Sequence, residues 1–170
     1  MLDRVAHHIG RLLEWVLIVL MIALTVVVVV AVVYRKLGVS LSWYDEIASI
    51  MLAWVTYYGA ALAALKRRHI GFDGILLSLP WRARMADVVV SEILVIGFFA
   101  LLAWSGWRIL EVLEGDSLVS LTWMPVQITQ SVIPIGAVLF IVCELLSIPA
   151  YWRAVRQGVS LEHTDDVSED

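Results

Sequence analysis

Two adjacent acids, Asp45 and Glu46, open an apolar stretch that carries Trp54 in its middle and closes on Lys66, Arg67, Arg68 and His69, with Asp73 just beyond. A carboxylate pair and a histidine can do general acid–base chemistry if they reach one small molecule. Three further acids, Glu14, Glu92 and Glu144, stand within long apolar runs, where ionisable groups mark proton or cation paths. Other chemistry is missing. Cys143 is the single cysteine, so there is no intrachain disulfide and no cysteine pair for a metal. His7, His8, His69 and His163 fall outside the apolar runs, which leaves no intramembrane histidine pair for a haem and no zinc spacing. There is no Walker-type phosphate loop and no nucleophile elbow. These patterns point to no enzyme, no cofactor and no nucleic-acid partner.

The elements that position these residues follow from composition. The 170 residues are 61% hydrophobic and 16% charged, with mean hydropathy +0.88. A soluble domain is about half apolar and a quarter charged. The apolar residues fall into four blocks, about 12–33, 44–65, 88–110 and 129–148. Each is near the ~20 residues a helix needs to cross ~30 Å of hydrocarbon. The chain reads as an all-α membrane protein, a single membrane domain with four transmembrane helices. A short interfacial segment around 71–81 separates the second from the third. The first block is too long for a signal-peptide core and has no cleavage site, so it is an uncleaved helix. The acidic tail, 160–170, is expected to be disordered. The fourth helix is expected to start near Thr129, with Pro134 in its first turns, where a missing N–H costs little; Pro149 stops or bends it.

Basic residues give the orientation. Arg4, Arg11, Lys66, Arg67, Arg68, Arg82, Arg84, Arg153 and Arg156 share one side of a four-crossing chain; Arg35, Lys36 and Arg108 share the other. The positive-inside bias places both termini in the cytoplasm. Asp45 and Glu46 then lie at one surface and His69 at the other, roughly 30 Å apart, and cannot act on one solute. The two acids are better explained by the first turn of the second helix, where they oppose its dipole; Ser42 or Asp45 is the expected cap. Glu14, Glu92 and Glu144 come one to two turns from the cytoplasmic ends of their apolar runs. A proton relay is one reading. Ion pairing with Arg82, Arg84 or the Lys66–Arg68 cluster at the cytoplasmic rim is the favoured one.

Gly59 and Ala63 are four apart, as are Ala60 and Ala64, and small residues at that spacing let another helix approach closely. Trp15, Trp43, Trp81, Trp104, Trp107, Trp123 and Trp152 fall near span ends, as interfacial anchors do. Trp54 lies within a span and is expected to pack against another helix.

The stretch from Trp43 to Asp73 resembles the hallmark region of the small integral-membrane subunit, the Q component, of tripartite ATP-independent periplasmic (TRAP) transporters. Trp43, Asp45, Glu46, Trp54, Gly59, Ala60, Ala61, His69, Ile70 and Asp73 carry the likeness, and Trp123-Met124-Pro125 with Ile133-Pro134-Ile135-Gly136 is similar to the family's final-helix region. The resemblance implies a bacterial inner-membrane scaffold for a large elevator-type membrane subunit. It further implies a periplasmic solute-binding protein as partner and uptake of organic acids or related solutes, C4-dicarboxylates or sialic acid among them, by symport driven by an ion gradient, commonly sodium. On that view the Gly59–Ala64 face packs in the bundle or on the large subunit, and the Lys66–His69 loop fixes depth at the membrane surface through anionic lipid headgroups. Two other readings are a small four-helix proton-coupled exporter using Glu14 and a tetraspan redox protein. The second is disfavoured by the single cysteine and the peripheral histidines.

Overall fold

The computed structural model describes residues 2–66 and 80–157, and four of its helices are long and apolar enough to cross a membrane. Helix α1 spans Leu2–Lys36, α2 Tyr44–Leu65 and α3 Trp81–Val112; a short α4, Val126–Gln130, leads into α5, Val132–Gln157. The expected interfacial segment, together with Arg67, Arg68, His69 and Asp73, lies outside the described residues, as does the acidic tail.

The second helix has the expected bounds, but α1, α3 and α5 outrun their apolar blocks. Hydropathy marks the part of a helix that suits hydrocarbon, whereas the backbone continues until something breaks it. At the end of α1 the breaker is Gly38, at φ +83°. There the Val39 N–H reaches Tyr34 O at 3.0 Å and the Gly38 N–H reaches Arg35 O at 3.2 Å, a Schellman closure that a left-handed glycine permits. At the start of α3 it is Pro80, in an extended conformation at the N-cap. The extra turns correct the placement of the acids. Glu92 lies eleven residues beyond Trp81, some three turns into α3, rather than one or two.

The fourth block is split at Ser131. Pro134 has no N–H for the Gln130 carbonyl and its ring crowds that oxygen, which disfavours a helix continuous across Ser131. Counted from Val132, Pro134 occupies the first turn of α5, where its missing donor costs nothing. Pro149 does not stop α5, which runs on through it to Gln157.

α2 and α5 form the central pair, with α1 packed on α2 and α3 on α5. A Cβ added to Gly136 would lie 2.6 Å from Tyr57 Cβ, so these two backbones come close at that point. Ala61, Ala64, Phe140, Cys143 and Leu13 form the buried core. Positions 57, 61, 64 on α2 and 136, 140, 143 on α5 advance by the same steps, as in helices running the same way. α3 runs against them: Gly106 meets Ile133 and Pro134, while Phe99 stacks on Phe140 with ring centroids 3.6 Å apart. α1 also opposes α2, with Gly10 beside Leu65 and Leu17 beside Gly59. The start of α1 and the end of α5 therefore share one end of the bundle. The outer faces of α1 and α3 are apolar and exposed, including Val19, Ile22, Leu94, Phe98 and Leu101.

Candidate functional site

α2 is held at both ends by acid-based contacts to other parts of the chain. At its start, Glu46 does not cap its own helix. Its carboxylate accepts the Val119 N–H at 3.1 Å, the Ser120 N–H at 2.9 Å and the Ser120 hydroxyl. The receiving loop between α3 and α4 is itself ordered. The Leu118 N–H donates to Met124 O at 3.1 Å and the Val126 N–H to Asp116 O at 3.0 Å, around a bridge between Ser117 and Pro125. Leu118 is buried beneath it. Gln127 Nε2 donates to Leu110 O at 3.0 Å and so satisfies one open carbonyl at the end of α3.

The expected caps are not used. Trp43 is the N-cap residue and makes no side-chain cap bond. Asp45 is exposed, and its backbone oxygen accepts the Ser49 hydroxyl at 2.7 Å. Glu46 instead directs its carboxylate to the loop, whose Val119 and Ser120 N–H groups it satisfies.

At the other end of α2, Lys66 forms an ion pair with Glu14 of α1. Both side chains are about two-fifths exposed, at 43% and 40%, so the pair orients two helices more than it stabilises them. The proton-coupled exporter reading would need Glu14 as a carrier site; here that carboxylate holds a lysine. Lys66 and Glu46 are twenty residues apart on one helix, about 30 Å at 1.5 Å per residue. The acids and bases around α2 therefore cannot meet, and each serves its own end.

The three acids expected to behave alike do not. Glu92 of α3 and Glu144 and Ser147 of α5 are buried, whereas Glu14 borders a cleft between α1 and α2. Arg84, Glu92, Glu144 and Ser147 are each engaged by neighbouring groups. Arg82 is exposed at the start of α3.

The small residues of α2 divide between two neighbours. Ala61 and Ala64 are fully buried in the core and Ala60 packs against it, while Ala63 is half-buried. Gly59 faces α1, and a Cβ there would meet Leu17 only at 4.0 Å. The tight approaches are instead at Gly136 and at Gly106, where a Cβ would fall 2.9 Å from Ile133 and Pro134. Among the described residues the closest glycine approaches within the bundle are therefore at Gly106 on α3 and Gly136 on α5. Trp54 finds its aromatic partner on its own helix, edge to face with Tyr58 at 5.5 Å.

The described bundle thus has packed small residues inside, polar fastenings at both ends of α2 and apolar outer faces. No curated protein matches the chain. The family model of tripartite ATP-independent periplasmic transporters, DctQ component, matches residues 24–156, and the chain belongs to that family, a transporter component and not an enzyme family.

Proposed function

We propose that this small permease component braces the large, elevator-type subunit of its transporter. The transporter takes up organic acids or related small solutes, delivered by a periplasmic binding protein and driven by a sodium gradient. The observation that carries the reading is the way α2 is locked. A helix tied to α1 at Lys66 and to the α3–α4 loop at Glu46 is a fixed element, and a fixed element is what a moving neighbour needs. The outer faces of α1 and α3 supply apolar surface for lipid and for that partner. The bias of Lys and Arg toward the Lys66 end supports placing that end, with both termini, in the cytoplasm of an inner membrane. The likeness to the family's pattern supports roles for Trp43, Trp54, Gly59, Ala60, Ala63, His69 and Asp73 in packing or anchoring.

The test is uptake by proteoliposomes containing the large subunit with or without this chain, given the binding protein and a sodium gradient. Uptake should require both membrane chains and collapse when the gradient is dissipated. Full-rate uptake by the large subunit alone would end the scaffold reading.

A further inference from the structure

The cleft between α1 and α2 at the Lys66 end has a chemistry that the scaffold role does not use. Its volume is about 440 Å³, and its walls include His7, Gly10, Arg11, Glu14 and Lys66. Glu14 is engaged by Lys66, and Arg11 makes no ion pair or hydrogen bond to another described residue. Among the described residues two cations thus face one carboxylate, with the His7 imidazole beside them. A cleft with that balance takes a singly charged anion.

The exposed surface next to the cleft narrows the class of anion. Arg11 is followed on its own face of α1 by Trp15, Ile18, Val19 and Ile22, at helical spacing. These side chains are 67%, 49%, 60% and 60% exposed. From Arg11 to Ile22 the helix rises about 16 Å, close to the depth of one leaflet in a ~30 Å hydrocarbon core. A free phosphate would use the cleft and ignore the stripe. A molecule with a phosphate head and an acyl tail would use both.

We propose that the α1–α2 cleft is a phospholipid site. The phosphodiester would be held by Arg11 and Lys66, with His7 beside it, and an acyl chain would lie along the Trp15–Ile22 stripe. The site does not depend on which large subunit the chain assembles with or on which side of the membrane the cleft faces.

The experiment uses the full chain, delipidated in neutral detergent and then offered phosphatidylglycerol, with bound lipid counted by native mass spectrometry. One phosphatidylglycerol per chain should be retained. Arg11→Gln should lower retention about fivefold, the factor equivalent to the ~1 kcal/mol that one basic residue contributes near an anionic lipid surface. Arg11→Lys should hold most of it, since Arg11 is exposed and the fold does not rest on it. Lys36→Gln, at the other end of the same helix, should leave retention unchanged. Millimolar inorganic phosphate should not displace the lipid. Displacement by phosphate would replace the lipid by a soluble anion and overturn the assignment. Equal retention in Arg11→Gln, or equal loss in Lys36→Gln, would overturn the site itself.

Discussion

Glu46 and Ser120 are separated by 74 residues, yet one carboxylate at the start of α2 receives both the N–H and the hydroxyl of that serine. The same carboxylate also takes the Val119 N–H. This three-donor contact makes an acid that could pass for a helix cap into the anchor of a loop on another part of the chain.

Replacing Glu46 with Ala should therefore release the α3–α4 loop before it disturbs α2. Amide hydrogen exchange at Val119 and Ser120 should accelerate on the order of tenfold, as local opening does when its closing contacts are lost. Amides in the middle of α2 should keep their protection. Glu46→Gln, which retains one acceptor oxygen, should fall between the two. Uniform acceleration along α2 would show that Glu46 acts on its own helix instead.

The two kinds of glycine should separate cleanly. Gly136→Ala puts a Cβ against Tyr57 Cβ, backbone-near atoms that cannot swing aside, and overpacking of this type costs about 1–3 kcal/mol. Gly59→Ala has room beside the flexible tip of Leu17, and in a helix alanine is favoured over glycine by roughly 1 kcal/mol in water. Thermal unfolding in detergent should show a lowered midpoint for the first and an unchanged or raised one for the second. The reverse order would restore Gly59 as the packing glycine.

Phe99 and Phe140 stack with their planes 6° apart, joining α3 to the central pair. A double-mutant cycle with alanine should give a coupling of about 0.5–1.5 kcal/mol beyond the separate losses of buried area. Additive losses would mean that each ring packs independently.

The Lys66–Glu14 pair should respond to charge rather than to identity. Glu14→Lys alone should loosen α1 from α2, visible as faster cross-linking of α1 by a water-soluble reagent. The exchanged pair, Glu14→Lys with Lys66→Glu, should restore the native rate. Because both partners are partly exposed, high salt should blunt the difference. No rescue by the exchange would assign the effect of Glu14→Lys to something other than the pair.

Much of the fold was legible without coordinates. Four apolar blocks had to be helices, because hydrocarbon leaves the backbone no other way to satisfy its polar groups. The bounds of α2 could be read from its flanking charges, whereas the break at Ser131 within the fourth apolar block could not be read from hydropathy. The family pattern was also present along the chain, from Trp43 through Gly136. What local pattern could not supply was partnership. Nothing around Glu46 marks Ser120 as its donor, since their meeting depends on where α3 ends and how the loop returns. Nothing in the Gly59–Ala64 cluster reveals that the closest contacts lie at Gly106 and Gly136, because a small residue matters only where another backbone arrives. Glu14, Glu92 and Glu144 look alike by hydropathy, and the bundle separates them, one to a cleft beside Lys66 and two to buried positions on α3 and α5. Local hydropathy was enough to find four segments long and apolar enough to cross a membrane, since that depends on the transfer of each segment into lipid. Which polar groups meet could be learned from the folded bundle alone, since that depends on the register of one helix against the next.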